Sequence, residues 1–172
     1  MSMRTFCLLL LGLAAFASSG CAGYHLGPSN GLAAGEKSLQ IRPFDNQTLE
    51  PRLGDALTTA LRREVQRDGT YRLATRGGAE VLVTGVLTKY DRHELSFAPN
   101  DVLTVRDFRV SATARVKARN LTTDKVILDQ EVTGYTLVRV GMDLTSAERQ
   151  ALPLLAEDLA KNVTARLADG GW

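Results

Sequence analysis

Two cysteines, two histidines and a row of basic residues are the side chains of this 172-residue chain whose types could do chemistry. The first is Cys21, reached through the small residues Ser18-Ser19-Gly20 at the end of an apolar run from Phe6 to Ala17. That order follows the pattern of a lipobox, in which the chain is cut just before the cysteine and the thiol is acylated. Cys21 is therefore the expected lipidation site. The run is too short for a hydrocarbon core about 30 Å thick, which needs about 20 apolar residues. With Arg4 ahead of it, residues 1–20 read as a signal peptide that is removed. Ordinary secretory cleavage near Ala17 is the alternative.

Acylation at Cys21 and loss of Cys7 with the signal leave no free thiol, which excludes a disulfide framework, a cysteine–metal site and a cysteine nucleophile. Each buried acyl CH₂ contributes about 0.8 kcal/mol, and two chains already anchor stably. Ala22, rather than Asp, follows the cysteine and is expected to permit sorting to the outer membrane. Catalysis is poorly supplied. His25 lies beside the anchor, and Asp91, His93 and Ser96 crowd together without a nucleophile elbow. No metal-ligand spacing and no phosphate-binding glycine loop is present, so no enzyme activity, cofactor or metal is expected. Glu157-Asp158 reads as the solvated face of a helix. A net charge of +2 with 23% charged residues gives no basic excess of the kind that nucleic-acid binders carry.

The sharper pattern runs from residue 108 to 119. Phe108, Val110, Ala112, Ala114, Val116 and Ala118 alternate with Arg109, Ser111, Thr113, Arg115, Lys117 and Arg119. Period two over twelve residues is a strand with one buried and one polar face. Arg109, Arg115, Lys117 and Arg119 then project together, and arginine grips phosphate or carboxylate with two parallel hydrogen bonds. The competing expectation is that Asp129, Glu131 and water neutralise the row. Ile127, Tyr135 and Leu137 are expected on the same face, a mixed surface suited to a partner. The alanines of the buried face predict close approach by a helix.

These residues need elements to hold them. Residues 21–37 form the lipid anchor and tether, and 38–168 a single domain long enough to bury about two thirds of its unfolded surface. Ser38 to Arg42 alternates as a first strand. Pro43 to Thr48 is a turn of residues that bond their own backbone. Pro51 suits the first position of a helix, whose stripe is Leu53, Ala56, Leu57, Ala60, Leu61 and Val65, with basic residues in its last turns and Gly69 as its stop. Tyr71-Arg72-Leu73 is a short extended piece, and 75–78 a loop. Strands follow from Val81 to about Leu95, from Leu103 to Arg119 and from Val126 to about Val138, with a turn at 98–101. Pairing the last two so that residue numbers sum to 244 matches their faces: Ala118 meets Val126 and Arg115 meets Asp129, an opposition that stabilises by about 0.2–1 kcal/mol. Thr145 and Glu148 have capping-box spacing ahead of the stripe Leu152, Leu155, Ala156, Leu159, Val163 and Leu167. Pro153 is expected to kink this helix or delay its start, since an interior proline costs about 3 kcal/mol. Residues 169–172 should fray. The order β-α-β-β-β-α predicts an α+β, two-layer sandwich with two helices on one face of a four-stranded mixed sheet.

Gly20-Cys21, Gly23-Tyr24-His25-Leu26, the segment Ile41 to Thr48 leading to Pro51, and Thr145-Ser146-Ala147-Glu148-Arg149 together resemble the lipoprotein of lipopolysaccharide (LPS) assembly, the LptE (RlpB) family. The resemblance covers essentially the whole chain after Cys21. It implies a non-enzymatic lipoprotein held in the outer membrane's periplasmic leaflet. Such a protein would act as plug and assembly partner of an LptD-like outer-membrane β-barrel that inserts lipopolysaccharide into the outer leaflet. It also implies headgroup contacts near a hairpin tip and before the last helix. The tip here, Ser96 to Asp101, has no basic residue, so Arg139 is the residue carried over. A lipoprotein subunit of another envelope export or polymer-assembly machine is the alternative, since the Phe44-Asn46-Thr48 turn also suits that class.

Overall fold

The computed structural model describes residues 35–98, 101–139 and 143–169. Cys21, His25, the signal and tether up to residue 34, the centre of the 98–101 turn and residues 170–172 lie outside them. The described elements run β1 (Lys37–Ile41), β2 (Asp45–Asn46), α1 (Leu53–Asp68), β3 (Tyr71–Leu73), β4 (Val81–Ala98), β5 (Asp101–Asn120), β6 (Val126–Arg139) and α2 (Leu144–Asp169). The order across the sheet is β3-β1-β4-β5-β6, with β2 beside β4. β1 runs parallel to β3 and to β4, while β4, β5 and β6 form an antiparallel meander.

The α+β, two-layer arrangement is as the patterning predicts, but the sheet has six strands, not four. The two additions are short. Residues 71–73 have enough backbone to pair with Lys37 to Leu39. Asp45-Asn46 pairs with Val86 and Leu87 inside what the sequence shows as a turn. That turn is built by its own side chains. Asn46 accepts through Oδ1 from the Thr48 N–H (3.0 Å) and hydroxyl (2.7 Å), and donates through Nδ2 to Glu50 O at 2.8 Å. The Phe44 N–H donates to Thr58 Oγ1 on α1 at 3.1 Å. Phe44 itself lies over Gly85, where a Cβ would overlap its ring. The Phe-x-Asn-x-Thr pattern is thus a device for seating α1 against β4.

Helix α1 starts at Leu53, not Pro51, and ends where expected: Gly69 is left-handed at φ 75° and donates to Val65 O at 3.2 Å. Helix α2 is capped by Asp143 rather than by Thr145. Its carboxylate accepts from the backbone N–H groups of Thr145 (3.0 Å) and Ser146 (3.1 Å). These hydrogen bonds, that of the Ser146 hydroxyl foremost, hold the Asp143 carboxyl below the usual aspartate range. Glu148, free of the capping-box role, reaches Arg92 on β4 at 3.0 Å. Beside that pair, burial first and then the Glu148 and Glu50 carboxylates push the Tyr90 phenol up to about 12. Pro153 stands inside a single helical element that continues through Asp169. Both Pro153 and Arg149, whose carbonyl loses its acceptor role, are exposed, so water can satisfy that carbonyl.

The core lies between the layers. Leu53, Leu57 and Leu61 of α1 and Leu155, Leu159 and Leu167 of α2 are buried with Val110, Ala112, Ala114, Val116 and Ala118 of β5. Close approach by a helix is real, and it is tightest on β6: a Cβ on Gly134 would sit 2.5 Å from Leu159 N. Gly134 pairs with Ala112, so two small residues side by side make the trough for α2. The Tyr71 hydroxyl donates to Leu167 O at 2.9 Å and ties the far end of that helix to β3. No helix among the described residues is long and apolar enough to cross a membrane.

The register of β5 and β6 differs from the predicted one by two residues. Ala118 pairs with Leu128 and Arg115 with Glu131. Both registers keep the faces matched, so alternation cannot separate them. The connection decides: Asn120 Oδ1 accepts from the Thr122 and Thr123 N–H groups, the Asn120 N–H donates to Lys125 O, and Asp124 is left-handed at φ 59°. A β-bulge between Ala118 and Arg119 absorbs the odd residue.

Candidate functional site: the uncovered face of the sheet

The helices pack on one side of the sheet, and the side chains of the basic row emerge on the other. Arg109, Arg115, Lys117 and Arg119 lie along β5, and Arg139 stands on β6 opposite Asp107. The structure therefore brings all five predicted contact residues onto one face. It also gives four of them carboxylate partners. Arg115 lies 3.0 Å from Asp129, which is diagonal to it rather than opposite, and Lys117 lies 3.9 Å from the same carboxylate. Arg119 meets Asp124 at 3.0 Å and Arg139 meets Asp107 at 2.9 Å. Glu131, expected to share in the neutralising, faces Arg115 in the register but makes no ion pair among the described residues.

Arg109 is different. Its guanidinium stacks over the Tyr135 ring, 5.2 Å from the centroid, and among the described residues it makes no ion pair. The cation is attracted by the negative face of the ring while its N–H edge stays open to a ligand. Tyr135 and Leu137 are 54% and 62% exposed beside it. Ile127, expected with them, instead packs against the core from the strand end. Arg109, Tyr135 and Leu137 thus form a small mixed patch at the centre of a face otherwise tiled by ion pairs and threonines. Thr113 and Thr133 share a hydrogen bond of 2.9 Å across the strands.

A serine–histidine–aspartate arrangement does not form. Asp91 and His93 both face the uncovered side, opposite Ser111 and Arg109. Ser96 instead donates its hydroxyl to Asp107. That bond, with the Arg139 contact second, holds the Asp107 carboxyl below the usual range. No group of three or more metal-ligating side chains occurs among the described residues.

Two residues on α2 have roles that sequence reading missed. Asp158, expected in a solvated pair with Glu157, accepts from the Tyr135 backbone N–H at 2.9 Å, and Asn162 donates to Thr133 O at 3.0 Å. β6 is the edge strand, and these side chains satisfy outward-facing groups that would otherwise template another strand. The spacing Asp158-x-x-x-Asn162 on one helical face was the available signal. Glu157 pairs with Arg63 of α1 at 3.3 Å.

At its far end the sheet narrows to a ribbon. β4 has 18 residues and spans about 60 Å. β6 pairs with β5 only as far as Asp107. Beyond that point, Ser96 to Ala98 pairs with β5 alone. Leu95 and Phe97 on this ribbon are 46% and 45% exposed.

No curated protein matches the chain. Several solved structures share its fold. A hypothetical protein from Chlamydia trachomatis aligns with a TM-score of 0.57 at 10% identity, over 80% of this chain and 98% of its own. A minor lipoprotein from Acinetobacter baumannii aligns at 0.51 and 13% identity, covering 77% and 93%. PelC from Paraburkholderia phytofirmans, a dodecamer, aligns at 0.51 and 19% identity, covering 83% and 92%. Likeness at these identities speaks to the fold alone. A family model is more specific: the one described as LptE, lipopolysaccharide-assembly, matches residues 36–167, from the first strand into the last turn of α2. With the whole sheet, α1 and α2 as far as Leu167 inside that match, the chain belongs to the LptE lipopolysaccharide-assembly family.

Proposed function

We propose that the chain is a lipid-anchored outer-membrane protein of lipopolysaccharide assembly that works without catalysis, as plug and assembly partner of a β-barrel. The family match over residues 36–167 carries this reading. Two features of the fold support it. The lumen of a large membrane barrel is polar, and a sheet face tiled by ion pairs around one aromatic–arginine patch suits a polar wall better than lipid. The β4–β5 ribbon, with Leu95 and Phe97 exposed, offers a narrow element that a barrel could admit where the two-layer body is wider. Within the basic row, headgroup contact falls first to Arg109, the member that makes no ion pair among the described residues.

The test is affinity capture of the tagged full chain from detergent-solubilised outer membrane, with identification of what accompanies it. A barrel of outer-membrane size in stoichiometric amount is the expected result. A monomer, or a ring of this chain alone, would refute the partnership and favour another export machine. For the face itself, lipopolysaccharide binding should fall with Arg109→Glu. Normal binding by both Arg109→Glu and the double reversal Arg115→Glu/Lys117→Glu would remove the basic row from the account.

A further inference from the structure

Four arginines that the basic row does not include gather at the opposite edge of the sheet. β1 and β3 run parallel with Leu73 beside Leu39, so β1 extends two residues past the end of β3, to Ile41. Ligands of open sheets with parallel strands bind in the crevice outside those carboxyl ends. A cavity of about 260 Å³ lies there, walled by Arg42, Arg62 of α1, Leu73 and Thr75. Across the segment 73–75 a second hollow is lined by Arg72, Arg76, Gly77 and Gly78.

The chemistry of these walls is one-sided. Neither hollow has a carboxylate in its lining, and among the described residues none of the four arginines makes an ion pair. Two other grooves among the described residues are mixed in sign. Arg63, Arg67 and Lys161 share one with Glu64, Glu157 and Asp158, and Lys89 and Arg92 share another with Glu50, Asp91 and Glu148. Arg62 is also positioned, since its Nη2 donates to Ile41 O at 3.4 Å across the mouth of the cavity. The backbone adds donors. The Ala74 N–H is used by Leu39 O, whereas the N–H groups of 75–78 find no acceptor among the described residues. Gly77 and Gly78 hold that loop in left-handed conformation at φ 86° and 73°. Unpaired arginines beside a turn of free backbone N–H groups form an anion-binding concavity.

We propose that the crevice at the ends of β1 and β3 binds a phosphate group, with Arg42 and Arg62 as its principal ligands, Thr75 in its wall, and Arg76 adding positive charge from the neighbouring hollow across the segment 73–75. The volume takes a phosphate or pyrophosphate, carried by a free anion or by the head of a lipid, and leaves acyl chains outside. This site is separate from the basic row of β5 and does not depend on it.

The experiment is calorimetric titration of the full chain in neutral detergent with three probes: pyrophosphate, dihexanoyl phosphatidic acid and dihexanoyl phosphatidylcholine. The phosphatidylcholine should not bind. Pyrophosphate should bind, and Arg42→Gln/Arg62→Gln should weaken it at least tenfold, with Arg76→Gln weakening it less. Arg115→Gln/Lys117→Gln should bind as the natural chain does. Phosphatidic acid binding tenfold tighter than pyrophosphate, with the same dependence on Arg42 and Arg62, would assign the phosphate to a lipid head; equal or weaker binding would assign it to a free anion. The four arginines are exposed, and unchanged thermal unfolding of each variant excludes loss of fold. Absence of binding by both phosphate probes, or equal binding by the Arg42/Arg62 variant, overturns the site.

Discussion

Gly134→Ala should unfold this protein more effectively than most deletions from its core. In an ordinary strand that change stabilises by about 0.5–1 kcal/mol, because glycine has the most freedom to lose. Here the added Cβ would lie 2.5 Å from Leu159 N, 2.6 Å from its Cα and 2.7 Å from its Cβ. Ordinary contact begins near 3.4 Å, so α2 must retreat by roughly 1 Å along a backbone that cannot rotate away. Overpacking of this kind costs about 1–3 kcal/mol. The retreat also stretches the flanking bonds from Asp158 to the Tyr135 N–H and from Asn162 to Thr133 O. Together these place the loss at about 3–5 kcal/mol, against a typical domain stability of about 5–15 kcal/mol. Urea unfolding followed by circular dichroism reads it directly, and the midpoint of thermal unfolding should fall by roughly 10 °C or more. Leu159→Ala should not rescue it, because two of the three clashing atoms are backbone. A neutral or stabilising Gly134→Ala would refute the close approach of α2 to β6.

Other substitutions separate the remaining contacts. Gly85→Ala should also destabilise, but Phe44→Leu should relieve part of the cost, since the three atoms nearest that Cβ all belong to the Phe44 ring; a double-mutant cycle measures the coupling. Asn46→Ala removes three hydrogen bonds of the turn that seats α1 and should lower stability by about 1–3 kcal/mol in the same urea assay. Thr164→Val should raise stability by about 1 kcal/mol, because the Thr164 hydroxyl is buried without a hydrogen-bond partner among the described residues. Acid should loosen the first turn of α2 late. The Asp143 carboxyl titrates below its ordinary value of 3.8 in the folded chain, so its contribution is full above that value and is lost as pH falls through the lower folded one. The protection factor of the Ser146 amide, taken relative to the intrinsic exchange rate at each pH, should therefore hold at about pH 5 and fall only below the usual carboxylate range.

Much of this architecture was legible because alternation and helical spacing report burial directly. The row from Phe108 to Arg119, the stripe of α1 and its stop at Gly69 all stand where the patterning puts them. By itself the sequence determined the α+β class, the two-layer packing and which face of β5 carries its cations. The family resemblance, too, lay in residues that prove to be structural, since Phe44, Asn46 and Thr48 seat a helix. The β5–β6 register was not legible, because two registers of equal parity satisfy the same alternation and only the Asn120 turn with its bulge separates them. Asp143 displaced Thr145 as the cap because one carboxylate can accept from two N–H groups. Tertiary structure alone decided which charges are free. Arg115 and Arg62 look alike in a sequence, yet one meets Asp129 across a sheet while the other faces a crevice without a carboxylate. Charge is written in the chain, but its neutralisation depends on distances of about 3–4 Å between residues far apart in sequence, and only the fold sets those.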